Sequence, residues 1–125
     1  MHQEKCKVLV AGFAETTSLE FENAVSLAPY SLIRTYSGPE TVEKCLADPG
    51  IRYLLLDVSL AELNGFRVAY SLRKAGCHDL FIILVGWFSV ASAEMALSAG
   101  CNEFIAKPLD LKVIDDLLLE YKLEN

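Results

Sequence analysis

Short apolar runs alternate with longer amphipathic stretches five times along the chain. The third and fourth runs are nearly continuous in hydrophobic residues, which is typical of central strands covered on both faces. The second run mixes polar and apolar residues, which favours a place at the edge of a sheet. The predicted strands are Lys7–Ala11, Ser31–Thr35, Tyr53–Leu56, Phe81–Val85 and Glu103–Ala106.

The stretches between these runs carry apolar residues at helical spacing. In the helix after the second strand, Pro39 fits the first turn, and Val42, Cys45 and Leu46 form the predicted apolar side at i, i+3 and i+4. The turn residues Asp48-Pro49-Gly50 end this helix. The other predicted helices are Thr17–Leu27, Gly65–Lys74, Val90–Ser98 and a last one with an apolar stripe of Ile114, Leu117, Leu118 and Tyr121.

Strict alternation of strand and helix in a short chain predicts a parallel sheet with helices on both faces. Right-handed crossovers leave few topologies, and the common one at this size is the flavodoxin-like (βα)5 three-layer sandwich with strand order 2-1-3-4-5. In such α/β sheets the functional crevice lies at the carboxyl ends of the strands, where the order reverses beside strands 1 and 3.

Composition narrows the class of protein further. The net charge of −6 argues against a nucleic-acid-binding surface, because neutralising phosphates takes clustered Lys and Arg, and the basic residues here are scattered. No apolar run approaches the ~18 residues of a membrane span, and the polar opening MHQEKCK does not read as a signal peptide. We expect a single domain over residues 1–125, cytoplasmic and without membrane contact.

The four cysteines predict packed, reduced thiols. They stand at Cys6, Cys45, Cys77 and Cys101 and form no C-x-x-C pair, and His78 is the only histidine beside one of them. Zinc sites want four ligands at closer spacing, so no metal is expected here.

The crevice predicted from the topology contains one conspicuous pair of charges. The strand ends carry Gly12, Phe13, Asp57, Val85 and Lys107. An aspartate directly after Leu-Leu-Leu is costly to bury without a partner, and Lys107 is the basic residue positioned to supply one. Pro108 fixes the turn after Lys107, through a cis bond in a minority of such turns. The alternative for Asp57 is a helix cap or a loop carboxylate.

Two stretches resemble the receiver domains of bacterial response regulators, the CheY-like superfamily. LLLDVSLAELNGFRVAYSLRK, with Asp57 eight residues before Gly65, is similar to the family's phospho-acceptor, loop, glycine turn and third helix. MALSAGCNEFIAKPLDLKVI is similar to the family's end, with Lys107-Pro108 after the fifth strand. The resemblance covers about the whole chain with almost no gaps.

The resemblance implies phosphoryl transfer from a histidine kinase or a phosphotransfer protein to Asp57. In such domains an acidic pair after strand 1 and the acceptor hold Mg²⁺, the strand-5 lysine (here Lys107) binds the phosphoryl group, and a Thr or Ser after strand 4 hydrogen-bonds it. An aromatic residue on strand 5, here Phe104, then swings inward and changes the partner surface.

The chain departs from this pattern at the residues that carry the chemistry. Gly12 and Phe13 stand at the acidic-pair positions, and Val85 stands at the Thr/Ser position. Asp57 and Lys107 alone sum to zero charge, which leaves no excess to attract a metal.

Substitute ligands for the missing acidic pair are scarce. Glu15 and Glu62 are candidates, although a solvated or helix-capping role is usual for such residues. The stretch Glu15–Ser18 lacks the glycines of a phosphate-binding loop, and helix capping explains its hydroxyls better.

We therefore interpret the chain as a degenerate receiver, a phosphorylation-independent protein-interaction module without a cofactor and not an enzyme. Its partner is expected to be a histidine kinase, a phosphotransfer protein or a downstream regulator. In receivers the partner face combines the fourth helix, fifth strand and last helix, which here includes Val90–Leu97 and Lys112. Trp87 and Phe88 either contact the partner or pack over the vacated pocket beside Phe13.

Two other functions stay open from the sequence. The first is a working receiver phosphorylated on Asp57, with Mg²⁺ held by a non-standard set of ligands. The second is an unrelated flavodoxin-like enzyme, which is disfavoured because no nucleophile and base pair emerges.

Overall fold

A computed structural model describes residues 6–13, 30–108, 112–113 and 116–117. Within these residues there are five strands and three helices in the order β1, β2, α1, β3, α2, β4, α3, β5. The strands are β1 (Cys6–Ala11), β2 (Tyr30–Thr35), β3 (Ile51–Asp57), β4 (Phe81–Gly86) and β5 (Glu103–Ala106). The helices are α1 (Gly38–Ala47), α2 (Gly65–Lys74) and α3 (Val90–Ser98).

The five strands form one parallel sheet of order β2-β1-β3-β4-β5, which confirms the flavodoxin-like topology. The strands β1, β3 and β4 are central, in agreement with their apolar runs. In the ladder Asp57 lies opposite Val85, so the end of β3 is level with the end of β4. The predicted helix Thr17–Leu27 and most of the last helix lie outside the described residues.

Each described helix begins at a side chain that caps its first turn. The Ser37 hydroxyl accepts a hydrogen bond from the backbone N–H of Glu40, and Pro39 follows in the first turn of α1. Asn64 and Ser89 cap α2 and α3 in the same way. Such caps satisfy N–H groups that have no partner inside the helix, which fixes where each helix starts.

The sheet has a different hydrophobic layer on each face. The helices α1, α2 and α3 all contribute to the first layer, through residues such as Cys45, Leu72 and Ala96. The second layer is built on Val10, Leu55 and other residues of the opposite face, and Leu117 packs against it. The other buried residues of that second layer are Val8, Tyr53, Ile83, Val85 and Ile105.

The predicted apolar side of α1 is partly wrong. Cys45 is buried and Val42 packs against the core, but Leu46 is 50% exposed. Leu46 is next to Cys45 in sequence and therefore points about 100° away from it around the helix. The stripe that α1 buries is consequently narrower than the sequence pattern predicts.

The loop after β3 is joined to the start of α1. Ser37 and Ala61 form an isolated parallel bridge, and the Gly38 N–H donates to the Ala61 carbonyl at 2.9 Å. Gly38 lies so close to Leu63 that an added Cβ would overlap the Leu63 carbonyl oxygen. A glycine is therefore required where the loop crosses the helix.

Arg73 organises the amino-terminal end of the sheet. Its guanidinium donates to the carbonyl oxygens of Gly100 at 2.8 Å and of Cys77, and to Asn102 Oδ1 at 2.8 Å. The same Asn102 oxygen accepts from the backbone N–H of Ile82 at 2.7 Å. One side chain thus joins the end of α2, the turn after α3 and the start of β4.

The thiols Cys45, Cys77 and Cys101 are free, as the sequence predicts. Burial raises the pKa of Cys45 to about 12 and the pKa of Cys101 to about 11. No helix of the described residues is both long and apolar enough to cross a bilayer.

Candidate functional site

Asp57 is the last residue of β3 and is 8% exposed. Its Oδ1 accepts a hydrogen bond from Lys107 Nζ at 3.1 Å and another from the backbone N–H of Ser59 at 3.0 Å. The aspartate and lysine that the sequence pairs across the crevice are therefore in contact. The alternative in which Asp57 caps a helix is not what the structure has, although its contact with Ser59 is a local turn interaction.

Lys107 reaches Asp57 from the turn that follows β5. Its backbone N–H donates to the Gly86 carbonyl at 2.8 Å, which continues the ladder between β4 and β5 by one residue. The Lys107–Pro108 peptide bond is cis, one of the two forms considered from the sequence. The lysine side chain is 22% exposed, so the ion pair is close to water on one side.

Gly12 and Phe13 directly follow β1, and Gly12 lies beside Asp57. Both have left-handed backbone conformations, with φ of 89° at Gly12 and 72° at Phe13. A Cβ added to Gly12 would lie 2.8 Å from Asp57 Cβ, so the backbone approaches the aspartate closely. Phe13 is half-buried and packs against the second hydrophobic layer. Gly12 and Phe13 are apolar and bring no carboxylate to the site.

Val85 lies beside Asp57 on the neighbouring strand, β4. It is level with Asp57 in the ladder and is fully buried, and its carbonyl accepts from the Val58 N–H at 3.0 Å. Gly86 follows it, and a Cβ there would meet Val58 Cγ2 at 2.6 Å. Neither residue brings a hydroxyl group to the site.

The described donor atoms do not by themselves suit Mg²⁺, which takes near-octahedral oxygen ligands. They supply one carboxylate, and its Oδ1 is held by a lysine ammonium. Glu62 is exposed, with a left-handed φ of 67°, and Glu15 lies outside the described residues. Over the part of the chain that the structure describes, no group of three or more His, Cys, Asp or Glu could hold a metal ion.

The aromatic residues expected at the partner surface are on the outside. Trp87 is 70% exposed and Phe88 is 66% exposed, so neither ring is buried over Phe13. The ring of Phe88 instead lies 6.5 Å from that of Phe104, centre to centre, and Phe104 is half-buried. Lys112 is exposed as well. The exposure of the two rings favours a partner contact over packing.

Sequence reasoning missed a buried hydroxyl pair near the site. The Oγ1 atoms of Thr35 and Thr41 are 2.7 Å apart, and the Thr35 carbonyl accepts from the Gly12 N–H at 3.0 Å. Thr41 also donates to the Ser37 carbonyl at 2.7 Å. The sequence signal is weak, because a threonine at a strand end and another in a first helical turn are both common.

Comparison with known proteins yields no matching family model but several sequence relatives. The chain is 27% identical over 115 residues to the chemotaxis protein CheY1 of Helicobacter pylori, covering 90% of this chain and 93% of CheY1. It is 30% identical over 67 residues to the photosynthetic apparatus regulatory protein RegA of Rhodobacter capsulatus. That match covers 54% of this chain and only 36% of RegA, so the matched part is about a third of that relative's length.

Solved structures share the fold at low sequence identity. The signal receiver domain of a Vibrio parahaemolyticus protein assigned as a LuxO repressor superposes with a TM-score of 0.84 at 18% identity, covering 96% of this chain and 95% of that one. A chain of the co-crystal structure of the Saccharomyces cerevisiae histidine phosphotransfer protein Ypd1 with the Ssk1 receiver domain gives 0.81 at 19% identity. That match covers 90% of this chain and 85% of the other.

The sheet order is that of the response regulator receiver structures named above, and the chain is similar in sequence to CheY1 over most of its length. The chain therefore shares the fold of these receiver domains, with Asp57 and Lys107 in contact at the carboxyl end of the sheet.

Proposed function

We propose that this domain is a pseudo-receiver, a protein-interaction module that works without phosphorylation. The observation that carries the proposal is the charge balance around Asp57. One carboxylate faces one ammonium, and Gly12, Phe13 and Val85 contribute no metal ligand or hydroxyl. The site is neutral before any phosphoryl group arrives.

Phosphorylation would upset this balance. A phosphoryl group adds about −1.5 to −2 charge at neutral pH, and Lys107 supplies only one positive charge to meet it. Phosphoryl transfer depends mainly on positioning and electrostatic stabilisation, which a metal normally provides. The residues that the structure describes bring no second carboxylate to Asp57 for that metal, so we expect transfer to Asp57 to be slow. The Val85 side chain has no hydroxyl group, so it could not donate a hydrogen bond to a phosphoryl group on Asp57.

The proposed output is a surface, the aromatic patch, which consists of Trp87, Phe88, Val90 and Leu97. All four residues are between 66% and 70% exposed. Large exposed apolar groups are unfavourable in water and are enriched at the centres of protein interfaces. The patch adjoins Phe104 through Phe88 and would combine with β5 and Lys112.

The proposed partner is a protein of a two-component pathway, namely a histidine kinase, a phosphotransfer protein or a downstream regulator. The similarity to a chain of the Ypd1–Ssk1 complex supports a phosphotransfer protein among these. The acidic net charge of −6 gives no support for a nucleic-acid partner.

A working receiver is the second candidate, and one specific observation favours it. The contact between Asp57 and Lys107, at 3.1 Å, keeps the acceptor beside the lysine that would bind a phosphoryl group. In that case Mg²⁺ would need a substitute ligand, for which Glu15 and Glu62 are the candidates.

A titration distinguishes the two candidates. The protein is titrated with Mg²⁺ plus beryllofluoride, a phosphoryl mimic, while amide NMR shifts near Asp57 and Trp87 fluorescence are followed. We expect no saturable shift in the wild-type protein. A saturable shift that disappears in Asp57→Asn but persists in the matched control Asp79→Asn would establish the working receiver. Loss of that shift in Glu62→Gln would identify Glu62 as the ligand.

A crosslinking experiment tests the interaction function itself. A photo-reactive phenylalanine at position 87 is used to capture partners in the native cell, with the same group at the exposed Tyr36 position as the control. We expect one captured species that is retained in Asp57→Asn and lost in Leu97→Glu. Capture that requires an intact Asp57 would contradict a phosphorylation-independent function.

A further inference from the structure

The helices α2 and α3 leave an open groove between them on the outside of the first hydrophobic layer. The groove has a volume of about 590 Å³. Phe66, Arg67 and Tyr70 line it from α2, and Ala91, Glu94 and Met95 line it from α3. Its walls are mostly apolar, and its residues play no part in the site at Asp57.

The apolar side chains of the groove are open to water. Tyr70 is 57% exposed and Met95 is 52% exposed, while the small Ala91 keeps the groove wide. The Lys74 ammonium lies 5.9 Å from the centre of the Tyr70 ring, which holds the ring beside the end of α2. Covering such side chains would remove apolar area from water, which is the main favourable term in protein association.

The two walls carry opposite charges. Arg67 on α2 and Glu94 on α3 are exposed, and they form no ion pair with each other or with another residue in the described ranges. An arginine and a glutamate are thus available on either side of the same apolar strip. A partner that fits this arrangement must present an acidic group opposite Arg67 and a basic group opposite Glu94.

From this charge pattern we infer that the groove docks a second copy of this chain. A two-fold axis through an interface brings residue i against residue j and residue j against residue i. Two grooves that face each other across such an axis would place each Arg67 against the other copy's Glu94. Tyr70 and Met95 of both copies would then be covered at the centre.

The inference does not depend on the proposed function, because it rests on groove residues that the site at Asp57 does not use. Ala91, Glu94 and Met95 follow the spacing i, i+3 and i+4 along one side of α3. Glu94 is also four residues after Val90 and three before Leu97, so these two residues of the aromatic patch lie next to it on the helix. Dimerisation through the groove would therefore bring the second copy close to this edge of the aromatic patch.

The expected association is weak. The contact consists of one helix of ten residues and one of nine from each copy, which is small beside a standard interface of roughly 1,600 Å². We expect a dissociation constant of roughly micromolar to millimolar, with the dimer visible only in concentrated solution.

Charge reversal tests the inference. Sedimentation velocity is measured for the full chain from about 5 µM to about 1 mM, and circular dichroism checks that each variant is folded. We expect a concentration-dependent dimer in the wild type and at least a tenfold weaker one in Arg67→Glu and in Glu94→Arg. The double reversal should recover dimerisation to within about threefold, because each copy again offers both charges.

The matched control is Arg52→Glu, which makes the same change of charge at an exposed arginine far from the groove. It should dimerise like the wild type. A monomer at every concentration would overturn the inference. So would a dimer that both single reversals leave unchanged, or a double reversal that does not recover it.

Discussion

The two ends of the sheet hold their charged side chains in opposite ways. At the carboxyl end a single ion pair joins Asp57 and Lys107, and Val85 lies beside Asp57 in the sheet. At the amino end Arg73 donates to three acceptors in two separate parts of the chain, Cys77 after α2 and the Gly100 and Asn102 turn before β5. One end has a simple ion pair, and the other has a network.

This difference in hydrogen bonding indicates which charged side chains stabilise the fold. A guanidinium is planar and offers several donors in fixed directions, so Arg73 can satisfy several carbonyl oxygens at once. A partly exposed lysine and carboxylate pair contributes little, because water screens it and ordering the side chains costs entropy. We expect Arg73 to stabilise the fold. We expect the pair of Asp57 and Lys107 to contribute little to stability.

The largest effect is predicted at the amino end. Replacing Arg73 with Ala should lower the free energy of unfolding by about 2–3 kcal/mol, because carbonyl oxygens of Gly100 and Cys77 lose their donor. Urea denaturation measures this. Arg73→Lys should retain part of the stability, and Arg52→Ala, at an exposed position, should change it by less than about 0.5 kcal/mol. Equal stability of Arg73→Ala and the wild type would remove the distinction between the two ends.

A second comparison measures how much stability depends on the close approach of the Gly12 backbone to Asp57. Gly12→Ala should lower the free energy of unfolding by about 2 kcal/mol, because φ is 89° there and the new Cβ would overlap Asp57 Cβ. Gly76→Ala is the matched control, since Gly76 has a φ of 97° with nothing within 4 Å of an added Cβ. The control should cost only the backbone strain, about 1 kcal/mol. Equal stability of the two variants would show that overlap with Asp57 adds nothing to the cost of the backbone strain.

The ion pair itself should contribute least of these three. Asp57→Asn is expected to lower the free energy of unfolding by at most about 1 kcal/mol, since the pair is partly exposed. A double-mutant cycle with Lys107→Met measures the coupling, which should be about 0.5–1 kcal/mol. A coupling energy above about 2 kcal/mol would mean that the carboxyl end is as much a structural centre as Arg73.

The buried thiols should have the smallest effect on the free energy of unfolding at neutral pH. Burial raises the pKa of Cys45 to about 12 and that of Cys101 to about 11, from an ordinary value of 9.0. The unfolded chain therefore loses thiol protons first as the pH rises, and stability should fall progressively between about pH 9 and pH 12.

Chemical labelling checks the same thiols in the folded protein. With a thiol-reactive probe at about pH 8, Cys77, which is half-buried, should react at least tenfold faster than Cys45 and Cys101. The chain also contains Cys6, so the comparison is made in the Cys6→Ser protein, where the further change Cys77→Ser should remove the fast phase. A fast phase that survives both changes would show that Cys45 or Cys101 opens to solvent.

Much of the fold could be predicted because the residues that specify it are local. Strands β3 and β4 follow continuous apolar runs, and the helix starts follow capping side chains. The contact between Asp57 and Lys107 could also be predicted, because parallel strands in this order bring their carboxyl ends together.

The features that escaped prediction depend on tertiary packing. Leu46 fits an apolar helical stripe, but the first hydrophobic layer reaches only as far as Cys45. Arg73 reads as an ordinary basic residue in the last turn of a helix, and its acceptors are up to 29 residues away. Likewise no local pattern indicates that the Phe88 ring lies against Phe104 rather than over the pocket.

The junction between the β3 loop and α1 has a consequence for motion. Because Ala61 is bridged to Ser37 and accepts from the Gly38 N–H, the loop beside Asp57 cannot open without releasing the start of α1. Loop and helix should therefore open as one cooperative unit. The Gly38 amide proton would exchange with solvent at the rate of that opening, and so report from outside the site how rigidly Asp57 is enclosed.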